Sequence, residues 1–124
     1  MTTDQPVALI TGGRGVLAQA IAAELATQGW EVIAPPRTVL DVREPESILR
    51  VVDQLPRLDL LVNNAGLRLD ATLLKMPAAD WDAVLDTNLR GAWRCSRAVL
   101  PLMQLQGRGH IVNIGSYTAR HGVA

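Results

Sequence analysis

The sequence is poor in the residues that build disulfides and aromatic clusters. It has one cysteine, one tyrosine, no phenylalanine and a single lysine, Lys75. One cysteine excludes an internal disulfide, which fits a reducing compartment and predicts a cytoplasmic protein. Cys95 stands in a helical stretch without a nearby histidine, so we interpret it as a packing residue rather than a nucleophile.

An excess of charge and long apolar runs are also absent. Twelve basic side chains balance twelve acidic ones, which argues against nucleic acid and membrane surfaces as partners. No stretch is long enough to span a bilayer, and the polar Met1–Pro6 segment does not look like a signal peptide. No cluster has metal-ligand spacing, so no metal is predicted. The 124 residues suffice for one domain with a packed core.

The most informative stretch places an apolar strand, a glycine turn and a helix in succession. Gly13-x-Gly15-x-x-Ala18 fits the dinucleotide fingerprint G-x-G-x-x-G/A in this context. Gly13 is expected to take a backbone conformation that a Cβ forbids, Gly15 to let the main chain approach a pyrophosphate, and Ala18 to pack on the strand. The predicted phosphate-binding residues at this helix N-terminus are Gly12, Gly13, Arg14, Gly15, Val16 and Leu17. A glycine-rich turn without a ligand is the alternative.

Strands and helices alternate along the whole chain. Strands are predicted over Val7–Thr11, Trp30–Ala34, Thr38–Val42, Leu58–Asn63 and His110–Ile114, and helices over Gly15–Gln28, Pro45–Leu55 and Ala79–Gln106. Pro101 is expected to kink or end the last helix, and Tyr117–Ala124 to form a loop. The pattern predicts an α/β fold: a Rossmann-type doubly wound parallel sheet, with five strands present, in a single domain over 1–124. Too few residues separate the second and third strands for a crossover helix.

Five motifs, in order, resemble those of the short-chain dehydrogenase/reductase family. They are Thr11-Gly-Gly-Arg-Gly-Val-Leu-Ala18, Asp41-Val42, Asn63-Asn-Ala-Gly66, Asn88-Leu-Arg-Gly91 and Gly109-His-Ile-Val-Asn-Ile-Gly-Ser116. The glycine turn is one residue shorter than the family's TGxxxGxG and is nearer to that of the extended subfamily. A sugar-nucleotide epimerase-like protein is therefore one alternative, against which the motifs ending at Gly66 and Ser116 argue.

The resemblance implies a cofactor site at the carboxyl ends of the strands. Asp41 would accept a hydrogen bond from adenine, and Val42 would supply an N–H and an apolar wall; an aspartate that caps the following turn is the alternative. Further cofactor-binding residues implied by the family are Asn64, Ala65, Gly66 and Ile114. The side-chain amides of Asn63 and Asn64 would tie the fourth strand to its neighbours.

Arg37 follows the second strand, where family members that prefer NADP carry a basic residue. Its planar set of donors can pair with a 2′-phosphate, with Arg14 assisting, so NADP(H) is favoured over NAD(H) as cofactor. The alternative is that both arginines are solvated surface residues.

The resemblance also implies two catalytic residues, Asn88 and Ser116. Asn88 is placed on the apolar face of the long helix, where it would bend the helix and hold a water of a proton relay; a satisfied core asparagine is the alternative. Ser116 would hydrogen-bond the substrate oxygen. It is not expected to be a nucleophile, because neither His110, at the entrance of the sheet, nor His121, on a surface loop, is spaced as its base.

The family's Tyr-x-x-x-Lys pair, which contains the general acid, is missing from the sequence. Tyr117 is not followed by a lysine four residues on, and Lys75 lies in a predicted loop. We therefore expect an inactive N-terminal portion of a longer NADP(H)-dependent oxidoreductase that interconverts a small carbonyl compound and an alcohol. By resemblance, it would form a homodimer or homotetramer through the helix near 79–106. A non-catalytic NADP(H)-binding sensor of the same fold is the alternative.

Overall fold

Four parallel strands form the sheet in residues 4–121, the part of the chain that the computed structural model describes. They are β1 (Val7–Ile10), β2 (Glu31–Ile33), β3 (Leu60–Asn63) and β4 (His110–Asn113), in the order β2-β1-β3-β4. Leu9 of the central β1 pairs with Ile33 on one side and with Leu61 on the other. The strand β1 is buried along its whole length, as its continuous apolar run predicted. The α/β, Rossmann-like fold is confirmed.

Helices cover both faces of this sheet. They are α1 (Val16–Thr27), α2 (Pro45–Val52), α3 (Ala78–Leu85), α4 (Gly91–Gln106) and the short α5 (Thr118–His121). On one face, α1 packs its buried Ala18 against Ile10 and Val62. On the other face, α2 and α4 contribute Ile48 and Val99 to the larger core cluster. Within residues 4–121, no helix is long and apolar enough to cross a membrane.

The segment Thr38–Val42, which lies within the described residues, is not a strand, so its prediction was wrong. It forms turns in which the N–H of Leu40 bonds to the carbonyl of Pro36 at 3.0 Å. The double proline ends β2, and the few residues after it find local backbone partners instead of returning to the sheet. Leu40 and Val42 are buried in the core cluster with α2 and α4. This burial explains the apolar character that suggested a strand.

The helix predicted over Ala79–Gln106 is divided by a π-helical turn. That turn, Asp86–Arg90, joins α3 to α4, and α4 runs on through Pro101 rather than ending there. Four residues of α4 are buried at four-residue intervals: Gly91, Cys95, Val99 and Met103. Trp81 of α3 is 52% exposed. The helix α3 has no buried residue, so the buried part of the predicted apolar face lies in α4.

The segment predicted as a loop from Tyr117 contains α5. His121 therefore lies on a short helix, where its ring stacks on Tyr117 with the centroids 4.2 Å apart. His110 begins β4 and is exposed at the amino-terminal edge of the sheet, as expected. The remainder of that predicted loop, 122–124, and the first three residues of the Met1–Pro6 segment lie outside the described residues.

Asp59 joins the amino-terminal ends of the strands. Its carboxylate accepts hydrogen bonds from the N–H of Val7 at 2.9 Å and from Arg57 Nε at 2.8 Å, and Arg108 Nε lies 3.6 Å away. Burial alone would raise the pKa of Asp59, but the hydrogen bonds and the two positive charges hold it below its ordinary value. Asp59 is therefore a charged residue that is held at the amino-terminal edge of the sheet by hydrogen bonds and ion pairs.

Gln106, the last residue of α4, closes the same edge. Its side-chain amide donates to the carbonyl of Leu58 at 2.7 Å and accepts the N–H of Leu58 at 2.8 Å. The side chain thus imitates a peptide group of a neighbouring strand. It satisfies two backbone groups just before β3, where Leu58 is fully buried.

Candidate functional site

The glycine turn after β1 is compact for two different reasons. Gly12 has a φ of +65°, a left-handed conformation that favours glycine. Gly13 lacks such a positive φ, which corrects its predicted role: a Cβ there would overlap the backbone carbonyl of Ala34. The N–H of Gly13 bonds to the carbonyl of Pro35 at 3.1 Å. Gly13 therefore fixes the turn against the end of β2.

The first turn of α1 is open. Gly15 is the N-cap, and the next two side chains, Val16 and Leu17, are 90% and 49% exposed. Ala18 is fully buried against the strand, as the fingerprint predicted. No side chain of the described residues caps the start of the helix, so its backbone N–H groups can donate to an anion.

Thr11 and Asn64 join the glycine turn to the loop that follows β3. Thr11 Oγ1 accepts the N–H groups of Asn64 at 3.0 Å and Ala65 at 2.9 Å. In return, Asn64 Nδ2 donates to the carbonyl of Thr11 at 3.1 Å. These reciprocal bonds hold two loops from neighbouring strands as one unit.

Asn63 forms the corresponding connection to β4. Its Nδ2 donates to Asn113 Oδ1 at 2.9 Å and to Ser96 Oγ at 3.1 Å. Among the described residues its Oδ1 is buried without a hydrogen-bond partner. The predicted role of the paired asparagines, which is to tie β3 to both neighbouring strands, is confirmed.

Asp41 is held between two arginines. Its Oδ1 accepts from the N–H of Arg43 at 3.0 Å and from Arg43 Nε at 3.1 Å, and its Oδ2 accepts from Arg43 Nη2 at 2.9 Å. Arg37 Nε is 3.4 Å from the same Oδ2. Asp41 therefore caps its own turn, as the alternative interpretation held, while it also borders a cavity.

A first cavity of about 400 Å³ brings most of the predicted cofactor residues together. Those that line it are Gly12, Arg14, Gly15, Arg37, Asp41, Val42, Asn64, Ala65 and Gly66. Gly13, Val16 and Leu17 do not line it, because Gly13 is buried against β2 and the other two side chains face solvent. The cavity follows the carboxyl-terminal edge of the sheet, where ligands of parallel sheets bind.

A second cavity of about 420 Å³ adjoins the first. Both are lined by Val42, Asn64, Ala65 and Gly66, so they form one trough. Asn88, Ile114 and Ser116 line the second cavity. The trough thus places the predicted cofactor and catalytic residues along one continuous surface.

Asn88 differs from its prediction. It is exposed rather than buried on an apolar face, and it lies in the π turn. Its Oδ1 accepts the N–H of Leu67 at 2.7 Å, and its Nδ2 donates to the carbonyl of Leu67 at 2.9 Å. Asn88 therefore fastens the loop after β3 to the helix.

Ser116 follows β4 and is exposed. Its Oγ lies 2.9 Å from Thr118 Oγ1 and accepts the N–H of Thr118 at 3.3 Å. The hydroxyl therefore sits at the start of α5 and lines the second cavity. This arrangement limits the directions in which the Ser116 hydroxyl can offer its proton.

Two residues of this site were missed by the sequence reasoning. Arg43 binds Asp41, and the Asp41-x-Arg43 spacing is a local signal that could have found it. Gly91 approaches Val42 so closely that a Cβ would overlap its side chain. Gly91 stands three residues after Asn88, in a motif that was noted for Asn88 alone.

Cys95 is a packing residue, as the sequence indicated. It is buried in the core below the trough, and burial raises the pKa of its thiol to about 12. A thiol with such a pKa is protonated and unreactive at neutral pH. Within residues 4–121, no three His, Cys, Asp or Glu side chains gather as metal ligands.

Comparison with known proteins identifies the class to which this fold and trough belong. The family model for short chain dehydrogenases matches residues 37–124, and the chain belongs to that family. One relative is the 3-oxoacyl-[acyl-carrier-protein] reductase of Synechocystis, with 41% identity over 85% of this chain and 43% of its own length.

Solved structures agree with this assignment. The serine dehydrogenase of Escherichia coli is 33% identical with a TM-score of 0.83, covering 95% of this chain and 65% of that one. A structure of ElxO with NADP bound is 29% identical with a TM-score of 0.87, covering 96% and 58%. The chain spans about half the length of the curated relatives that it matches.

Proposed function

We propose that the protein is an NADP(H)-dependent oxidoreductase that interconverts a small-molecule carbonyl compound and its alcohol. The observation that carries this proposal is the continuous trough, with glycines and arginines along its first cavity and with Asn88 and Ser116 along its second. The names of relatives, a 3-oxoacyl-[acyl-carrier-protein] reductase and a serine dehydrogenase, support the reaction class.

The first cavity fits a dinucleotide. Three arginines and one aspartate line it, so its charge suits phosphate groups. A Cβ on Gly12 would lie 3.0 Å from the Cα of Ala65, so the two loops approach each other through their main chains. The open first turn of α1 adds the N–H donors that commonly bind a pyrophosphate.

The basic side chains favour NADP(H) over NAD(H). Arg37 is 68% exposed and Arg14 lines the same cavity, so both can reach a 2′-phosphate. Solved relatives with NADP, ElxO and a closed serine dehydrogenase, support this choice.

When bound, the cofactor would supply or accept a hydride. Ser116 offers a hydroxyl to the substrate oxygen, and Asn88, whose amide is bonded to the backbone of Leu67, holds the loop after β3 beside the second cavity. Tyr117 and Lys75, the single tyrosine and lysine, do not form Tyr-x-x-x-Lys. We therefore assign to these 124 residues the cofactor half of the site.

Association through α4 and a cytoplasmic location are part of the proposal. Trp93 on α4 and Leu49 on α2 are 56% and 46% exposed beside a groove of about 410 Å³. Apolar side chains grouped in this way are typical of interfaces. Light scattering of the protein and of Trp93→Glu tests the association, because a charge in the interface should lower the molar mass.

Titration with NADPH and NADH, followed by nucleotide fluorescence, tests the cofactor proposal. NADPH should bind more tightly, and Arg37→Asp should weaken NADPH about tenfold or more while sparing NADH, since a charge-assisted hydrogen bond to phosphate is lost. Arg50→Asp, at an exposed position of α2, makes the same charge change away from the trough and is the matched control. Tighter binding of NADH, or an unchanged ratio in Arg37→Asp, would contradict the proposal.

A further inference from the structure

We propose that Arg43 is a positioning residue that keeps Arg37 available for the 2′-phosphate by occupying Asp41. The inference rests on the NADP(H) preference proposed above. Arg43 and Arg37 share Oδ2 of Asp41, at 2.9 and 3.4 Å respectively. Which arginine holds the carboxylate therefore decides how much positive charge faces the cavity.

The geometry favours Arg43 in this competition. Arg43 makes a two-pronged pair through Nε and Nη2 and adds its own backbone N–H, so three donors converge on Asp41. Two-pronged arginine–carboxylate pairs are the strong ones. Arg37 makes one long contact from an exposed side chain, and such exposed pairs contribute little.

The backbone of Asp41 is fixed in place. Ser47, which is buried, places its hydroxyl 2.9 Å from both the backbone N and the carbonyl O of Asp41. The next residue, Val42, is held by a 3.3 Å bond from Arg94 to its carbonyl. The backbone of Asp41 therefore cannot follow Arg37 when that side chain turns toward a phosphate.

Removal of Arg43 should make Arg37 the main partner of the Asp41 carboxylate. Both oxygens of Asp41 would then be open to Arg37, which lies four residues earlier, and the pair would neutralise each other. The 2′-phosphate would face a neutral pair instead of a cation. NADH, which has no such phosphate, would be nearly indifferent to the change.

The test compares dissociation constants of NADPH and NADH for the wild type, Arg43→Met, Asp41→Asn and the double variant. Arg43→Met should weaken NADPH about five- to tenfold and leave NADH within about twofold. In the Asp41→Asn background, Arg43→Met should leave the NADPH-to-NADH ratio unchanged, because no carboxylate remains to capture Arg37. Thermal unfolding of each variant reports on folding.

Other outcomes separate the hypotheses. An equal loss of NADPH binding in both backgrounds would mean that Arg43 binds the phosphate itself and would overturn the inference alone. An unchanged ratio in Arg43→Met would do the same. If Arg43→Met does not fold, Arg43→Lys keeps the charge but not the two-pronged pair and should lower the ratio by a smaller factor. A wild type without NADPH preference would overturn both proposals.

Discussion

The two edges of the sheet contain the same kinds of charged side chain, but these side chains have different roles. Each has an aspartate between two arginines: Asp59 with Arg57 and Arg108 at the amino-terminal edge, and Asp41 with Arg43 and Arg37 at the carboxyl-terminal edge. Asp59 also accepts the N–H of a strand residue, whereas the other aspartate bonds within its own turn.

We infer from this difference that the amino-terminal edge contributes to the stability of the fold, whereas the carboxyl-terminal edge also forms the binding site. At the amino-terminal edge, the side chains of Asp59 and Gln106 bond to backbone groups of distant segments and join the start of the sheet to the end of α4. At the carboxyl-terminal edge, loops are joined to each other but leave a lined trough with exposed arginines. Variants at the first edge should change the free energy of unfolding alone, and variants at the second should change nucleotide affinity as well.

Gly13→Ala should have the largest effect. The added Cβ overlaps a backbone carbonyl at the end of β2, which cannot rotate away, so unfolding should cost about 3 kcal/mol less and NADPH binding should be lost. Urea unfolding and NADPH titration measure both. Gly115→Ala is the control for the unfolding measurement, since nothing lies within 4 Å of its added Cβ. A Gly13→Ala protein that binds like the wild type would show that the turn tolerates displacement.

Gln106→Ala should destabilise the protein by about 1–3 kcal/mol, because it leaves the buried backbone groups of Leu58 unpaired. NADPH affinity should not change, since the residue is at the opposite edge. Gln104→Ala, exposed on the same helix, should be neutral. If Gln106→Ala weakens NADPH while the protein remains folded, the two edges are coupled and the comparison fails.

Acid should weaken the amino-terminal edge through Asp59. Its pKa is lowered in the folded protein, so its contribution is complete above the unfolded pKa, near 4, and is lost as the pH falls through the lower folded value. The melting temperature of Asp59→Asn should therefore be below that of the wild type at pH 7, and the gap should narrow toward pH 3. Asp53→Asn, exposed beyond α2, controls for net charge. A gap that stays constant with pH would show that the loss is one of packing.

The smallest expected effect is the reaction of the Cys95 thiol with an alkylating reagent. With burial raising its pKa to about 12, the thiol should resist iodoacetamide at pH 8 in the folded protein and react once urea unfolds it. Intact mass measures the added group. Modification of the folded protein at the unfolded rate would mean that the core under the trough opens readily.

The sequence was sufficient where local pattern and tertiary role coincide. The apolar run of β1, the small residue at Ala18 and the paired asparagines after β3 all behave as predicted. Prediction from the sequence failed where the same residue pattern is compatible with two different structures. Leu40 and Val42 are apolar because α2 and α4 bury them, and apolarity alone cannot tell a buried turn from a strand.

Backbone details were beyond the sequence for a related reason. Neighbouring glycines look alike as letters, yet Gly12 supplies the positive φ and Gly13 the close contact. Helical spacing likewise predicted a buried Asn88, because residue periodicity is counted on an unbroken helix. A π turn is a property of the hydrogen-bond ladder that periodicity does not record.

The π turn determines which kinds of mutation can alter the trough. An α-helix advances about 100° per residue, so a single additional residue reorients everything on one side of it relative to the other. Deleting Leu89, which does not line the trough, should restore a plain α-helix and move Asn88 away from the backbone of Leu67, although every side chain in the trough remained. The position of the Asn88 amide thus depends on the number of residues in the π turn. The segment Asp86–Arg90 should therefore accept substitutions far more readily than insertions or deletions.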